Sequence, residues 1–219
     1  YNTAFKNAYF ISPTRIISKN GTIDTRSGNY NLETGEAVFF DRTVIKDSAR
    51  LIVGNKVAFD EKSDQIQIEG NGKFIDSSNK VIILGNQILI DKKQNSFLAT
   101  RKPVMILYDK NDSTYIAADT LFSGKMNRAI TDSSRDTSQQ NKTIAIGKAS
   151  SDSIRFFIGY HHVKIFNDSL QAVSDSLHYS SEDSAFRLTG NPLCWNGDTQ
   201  LSGDTIDMFT AKQQPRQLD

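Results

Sequence analysis

The run Leu51-Ile52-Val53-Gly54-Asn55-Lys56-Val57-Ala58-Phe59 decides the fold. Apolar side chains alternate on both sides of a two-residue break, a small residue followed by Asn. The same break, small residue then Asn or Asp, recurs at Gly85-Asn86, Ala118-Asp119, Ser174-Asp175 and Gly203-Asp204. Each is followed by the same alternation: Val57 and Phe59, Ile88 and Ile90, Leu121 and Ser123, Leu177 and Tyr179, Ile206 and Met208. The breaks at 54 and 85 lie 31 residues apart, those at 85 and 118 lie 33 apart, and those at 174 and 203 lie 29 apart. The interval from 118 to 174 joins the series once a polar insertion is removed. Period-two alternation marks half-buried strands. A fixed interval of this size marks a repeat architecture rather than a catalytic globule.

Composition agrees. Helix signals are scarce, while Ile, Val, Thr, Phe and Tyr fall in alternating runs, so the chain reads as all-β. Among its 219 residues, 26 Lys and Arg balance 25 Asp and Glu, which points to no nucleic-acid partner. No stretch approaches the roughly 20 apolar residues of a membrane span. Cys194 is alone, so an intrachain disulfide is excluded.

Polar clusters such as Asp60 to Asp64, Asp76 to Asn79, Asp91 to Asn95 and Ser180 to Ser184 punctuate the chain about every fifteen residues. Connections this short join antiparallel neighbours, because parallel ones need a crossover of a dozen or more residues. The predicted topology is a long meander of runs of about eleven residues, each broken near its middle. Half the runs break at the small-Asn/Asp pair. The others break at Gly70-Asn71-Gly72, Lys102-Pro103, Gly159 to His162 and Gly190-Asn191-Pro192. In this second set the alternation slips by one residue, as a β-bulge requires. Phe97 and Ala99 hand over to Val104 and Ile106, Phe156 and Ile158 to Val163 and Ile165, Phe186 and Leu188 to Leu193 and Trp195. Across Gly54-Asn55 no slip is expected, with Leu51 and Val53 leading in phase to Val57 and Phe59.

Strands that all bend at the middle stack into two sheets meeting along a crease. About a dozen at ~4.8 Å give a body roughly 55–60 Å long. Its end strands keep unpaired backbone groups and invite strand addition. The chain reads as one domain, 1–219, with a polar loop insertion at about 124–153. Within it, Thr131 to Lys142 has almost no apolar residue, and Thr143 to Gly147 is expected to pair locally. The first 48 residues read as a degenerate repeat around Gly28-Asn29 and a Thr34-Gly35 turn, with Ile11-Ser12-Pro13 inside an earlier one.

Candidate chemistry is sparse. Adjacent residues on a strand point to opposite faces, so His161-His162 reads as structural, His162 taking the bend position held by Pro103 and Pro192. Asp and Ser cluster in turns, where they bend and cap backbone, and neither paired-carboxylate catalysis nor a metal site is indicated. No cofactor is expected and the chain reads as a non-enzyme. The lysines at 73, 80, 92, 93, 102 and 110 are scattered near turns and read first as solvated; the alternative reading sets them on an open rim facing lipid phosphates.

The pattern resembles the OstA-like family of lipopolysaccharide-transport proteins. The residues that carry the likeness are Gly28 to Asn31 with Thr34 to Ala37, Gly54 to Phe59, Ala118 to Leu121, Ser174 to Tyr179, Asn191 to Trp195 and Gln200 to Ile206. The likeness spans roughly 28–123 and 154–209. It implies an elongated, antiparallel, V-shaped β-jellyroll in the periplasm that holds lipid A acyl chains in an apolar groove. It also implies end-to-end strand pairing with other OstA-like proteins, or with copies of itself, to bridge inner and outer membrane. The expected lining is Phe59, Ile66, Ile68, Ile88, Ile90, Phe97, Ile106, Leu121, Phe156, Ile158, Ile165, Leu177, Tyr179, Phe186, Trp195 and Ile206. Each methylene kept from water is worth about 0.8 kcal/mol, so a multi-acyl lipid crosses an aqueous gap only under cover. The plainer expectation for the same residues is a filled core between sheets. Two other architectures fit the repeat: a self-assembling β-solenoid scaffold with a solid core and no lipid, and a parallel β-helix acting on polysaccharide.

Overall fold

Alternating β-branched and aromatic residues put most of the chain into strands. The computed structural model describes residues 6–19, 21–109, 112–127, 153–211 and 214–218. In chain order the strands are β1 (Asn7–Phe10), β2 (Thr14–Ser18), β3 (Gly21–Thr25), β4 (Ser27–Asn31), β5 (Glu36–Lys46) and β6 (Arg50–Asp60). Then come β7 (Gln65–Asp76), β8 (Val81–Asp91), β9 (Ser96–Thr100), β10 (Val104–Tyr108), β11 (Ser113–Ala117) and β12 (Thr120–Asn127). The last are β13 (Ser153–Phe166), β14 (Leu170–Ser180), β15 (Ala185–Thr189), β16 (Leu193–Asn196), β17 (Thr199–Ser202), β18 (Thr205–Ala211) and β19 (Gln214–Leu218). Every pairing among them is antiparallel, which rules out the parallel β-helix.

The sheet folds once along its length, giving the V-shaped jellyroll. One half of each long strand belongs to a first wall: β2, β3, the C-terminal half of β5, then β6, β7, β8, β10, β11, β13, β14, β16 and β17 in lateral order. The other halves, with β1, β4, β9, β12, β15, β18 and β19, form the second wall. Among the described residues, β2 and β17 edge the first wall and β1 and β19 the second.

Two kinds of strand alternate along the crease. One kind carries two consecutive left-handed residues: Asp41-Arg42, Gly70-Asn71, Arg101-Lys102, His161-His162 and Gly190-Asn191. The other carries the small-Asn/Asp pair. Ladder registers show why. Between Tyr160↔Ser176 and Val163↔Ser174, two residues of β13 face the single Asp175 of β14. The same two-against-one count sets Asp41 and Arg42 against Asn55, and Gly70 and Asn71 against Asn86. The extra residue is a bulge that turns the strand. The polar partner satisfies backbone released there: Asn86 accepts the Asn71 N–H at 3.2 Å and donates to the Arg101 carbonyl at 3.2 Å. The small residue sits inside the bend where the walls converge, and a Cβ on Gly54 would stand 2.5 Å from Ile68 Cγ2.

This geometry reverses one expectation. The alternation slips across the small-Asn/Asp pair, from Ile52 and Gly54 to Val57 and Phe59, and holds phase across the bulged strands. Phe97 and Ala99 therefore lead to Pro103 and Met105, Phe157 and Gly159 to Val163 and Ile165, and Phe186 and Leu188 to Pro192 and Cys194. Val163, not His162, is the counterpart of Pro103 and Pro192. Near the N-terminus the break falls at Arg26 rather than Gly28-Asn29, next to a buried Thr25–Thr43 hydroxyl pair 3.0 Å apart. Residues 124–127 and 153 are strand rather than loop, with Lys125 opposite Arg155. The rest of the expected insertion, including Thr131 to Lys142 and Thr143 to Gly147, lies outside the described residues.

Inward residues of both walls merge into one apolar cluster in which Val57, Ile68, Ile88, Leu121, Leu188 and Cys194 are fully buried. Gly190, at φ +79° with its Cα facing Asp175, tests the crease: an added Cβ would lie 2.5 Å from Asp175 Cβ. Gly190→Ala is expected to destabilise by about 1–3 kcal/mol. Gly203→Ala, with no contact under 3.4 Å, should stay within about 0.5 kcal/mol of wild type. Urea-denaturation midpoints check both.

Candidate functional site

The walls pack tightly at the crease and part toward their free ends. Between the turns there, Val81, Met105 and Leu107 of the first wall face Phe97, Phe157, Tyr179 and Phe186 of the second across a cavity of about 250 Å³. A second cavity of about 140 Å³ is lined by Phe74, Val81 and Ile83 against Ile90 and Phe97. Both share Val81, Phe97, Ser123 and Arg155, so they form one slot along the mouth of the V. Aromatic rings line its second wall, with Tyr179 and Phe186 4.6 Å apart and Phe97 and Phe157 6.4 Å apart. Loss of water around the Tyr179 hydroxyl raises its pKa above the ordinary phenol value.

The expected lining divides three ways. Ile66, Ile68, Ile88, Leu121, Ile165, Leu177 and Ile206 are core residues no more than 6% exposed, as the plainer expectation has it. Ile90, Phe97, Tyr179 and Phe186 line the slot, and Phe59 packs half-buried beside the core in a run of rings with Tyr30 and Phe39. Phe156 borders the larger cavity at its edge, whereas Ile106, Ile158 and Trp195 are a correction: they lie on the outer faces. Ile106 pairs across the ladder with exposed Tyr115 while its neighbour Met105 is buried against Ile116. Phe156 rests against Phe122 at 5.5 Å, and Ile158 stands opposite outward Phe122. Cys194, not Trp195, points inward. Those three were misplaced by the reversed phase at the crease.

The sequence reading missed Phe74, Val81, Ile83, Met105, Leu107 and Phe157, and also the charge at the rim. Arg50, Lys92, Lys125 and Arg155 stand around the narrower cavity with Asp76 and Asp91. Arg50 lies 4.0 Å from Asp76, whereas neither Lys125 nor Arg155 has a carboxylate within ion-pair distance among the described residues. Of the lysines singled out, only Lys92 reaches this rim; Lys80 pairs with Asp109, and Lys93 donates to the Lys62 carbonyl. Lys73 faces out from the first wall, Lys102 sits in the bulge of the crease, and Lys110 lies outside the described residues. An apolar slot with a basic rim is the arrangement that accepts an amphiphile by its tail and its anionic head.

The histidines serve the crease. His161 Nδ1 lies 2.8 Å from Asp175 Oδ1 and His162 Nδ1 2.8 Å from Asp119 Oδ2, tying one bulge to both flanking strands. The His161 hydrogen bond holds the Asp175 carboxyl below its ordinary value. Among the described residues no group of three metal-ligating side chains comes together. No family model matches the chain, and no curated protein matches it.

The facing of β16 is directly testable. Cys194 is buried and its thiol pKa raised by desolvation, so the folded protein should react with a thiol-specific disulfide reagent at least tenfold more slowly than in urea. Trp195, half-exposed on the other face, should be quenched by iodide in the folded protein. Fast Cys194 and shielded Trp195 would reverse the assignment.

Proposed function

We propose that this protein is a non-enzymatic lipopolysaccharide-transport module of the periplasm. It takes acyl chains of lipid A into the slot at the mouth of the V and joins OstA-like partners or copies of itself by strand addition at the wall edges. The observation that carries the reading is the slot itself: apolar on both walls, open along the free ends of the strands and basic at the rim. Each acyl methylene placed there gains about 0.8 kcal/mol over exposure to water, while Lys92, Lys125 and Arg155 offer charge to a phosphate. Transfer along such a slot needs no bond-making residue. The open strands β1, β2, β17 and β19 offer ladders of backbone groups for a neighbour.

A second reading has an observation of its own. Near the crease the walls are packed without space, Ile68, Ile88 and Leu121 being fully buried, which suits a self-assembling scaffold with no lipid.

Photo-crosslinking amino acids at positions 97, 107 and 186 separate the two. In cells making lipopolysaccharide, all three should crosslink to it, and acyl chains should accompany the purified protein in mass spectrometry. The outward positions Ala58 and Leu89 should give at least tenfold less product. Crosslinks confined to 58 and 89, or polymers free of acyl chains, would contradict the transport reading.

A further inference from the structure

The outer face of the first wall is apolar as well as its inner one. Successive ladder partners Leu51, Ile75, Ile82, Ile106, Tyr115 and Phe166 form a continuous outward row, which Gln171 extends to Trp195. At the strand spacing of ~4.8 Å, the eight strands from Leu51 to Trp195 span about 34 Å. The next row toward the crease adds Leu84, Val104 and Leu193. Phe166 is 50% and Tyr115 43% exposed, their rings 6.4 Å apart. An exposed apolar band of this length on a single chain marks a contact surface.

Charge says what covers it. The charged side chains set among these two rows from β5 to β17 are Lys46, Lys73 and Lys164, none with a carboxylate partner among the described residues. Beyond these rows Asp24 of β3 pairs with Arg15; from β5 to β17 Asp76 sits on the slot rim beside Arg50, and other carboxylates of this wall lie in turns at its free edge. Asp47 caps the Ala49 and Arg50 N–H groups, Asp112 the Ser113 N–H, and Asp109 pairs with Lys80. The outer face of the second wall also exposes apolar side chains, Leu89, Leu98 and Tyr160 among them, but Gln67, Gln87, Thr100 and Thr120 interrupt it, and its charges pair as Lys56–Glu69 at 3.3 Å and Arg187–Asp207 at 2.8 Å. A second copy on the first wall would set lysine against lysine and leave those charges uncompensated.

We infer that the outer face of the first wall docks on an anionic lipid surface. Tyr115, Phe166 and Trp195 are the ring types that settle at a membrane–water boundary. The lysines keep their stems on the apolar rows while their ammonium groups reach lipid phosphates. The slot opens along a different part of the molecule, so docking and slot occupancy are separate events.

The test uses the whole chain with vesicles of phosphatidylcholine, alone or with about 30 mol% phosphatidylglycerol. The protein should sediment with the anionic vesicles and not with the neutral ones. Emission from Trp195, the one tryptophan in the chain, should shift to the blue on docking. Lys73→Gln with Lys164→Gln should weaken binding about 25-fold, about five-fold per lysine, at an unchanged denaturation midpoint. Phe186→Asp, which fills the slot with charge, should leave vesicle binding intact. The inference is overturned by absent binding to anionic vesicles, by equal binding to neutral ones, by an unchanged affinity in the double lysine variant, or by Trp195 emission that does not move. An acidic protein that occupies the face while vesicles do not bind overturns it too.

Discussion

A sheet that folds across its own strands must shorten its inner path relative to its outer one without turning its apolar side to water. Here one device does this on every second strand. Two left-handed residues stand against a single Asn or Asp of the neighbouring strand, and the residue before that Asn or Asp is small, at Gly54 because Ile68 occupies the space a Cβ would need. The device depends on its polar partners. Breaking the ladder at the apex frees backbone groups, and Asn86, between the Asn71 N–H and the Arg101 carbonyl, shows how they are satisfied. His161 and His162 tie the bend through side chains instead, each held by an aspartate of a flanking strand.

From the crease outward the two walls have different tasks. Close to it their inner faces fill one another and supply the core, with Ile68 and Leu188 fully buried. Toward the free ends they part, and large rings from the second wall meet aliphatic side chains of the first across an unfilled slot. Close packing and open space are thus separated along the strand, which is why seven of the sixteen expected lining residues are core while the slot falls at the strand ends. The outer faces are unlike each other as well. One is mixed and charge-paired; the other is apolar with lysines alone.

The all-β class, the antiparallel meander, the bend in each long strand and the inward set after each small-Asn/Asp pair were all legible, because alternation and turn residues report them directly. What sequence did not yield was the phase before and beyond the crease. A left-handed pair made of Gly and Asn announces itself at Gly70-Asn71 and Gly190-Asn191, but Asp41-Arg42 and His161-His162 hold no glycine, and Arg101-Lys102 holds no residue that favours this conformation. The count was nonetheless within reach. Apolar residues stand at Phe157, Val163 and Ile165, in one phase, and reading β13 from Phe157 instead of Phe156 would have placed Trp195 outside as well. The rim charges of Arg50, Lys125 and Arg155 left no local mark, since the ladder of β12 and β13 sets Lys125 beside Arg155 and the fold brings Arg50 to them from β6.

The proposed transport role requires a crease that holds and a mouth that yields. Spin labels at Ser78→Cys and Gln94→Cys, exposed turn positions on opposite walls of the slot, report the mouth; Arg42→Cys with Lys102→Cys report the crease. Double electron–electron resonance with and without lipopolysaccharide is the direct measurement. The predicted result is a longer, narrower distance distribution across the mouth on binding and an unchanged one along the crease. Bound lipid with both distances unmoved, or a crease distance that changes as much as the mouth, would contradict it.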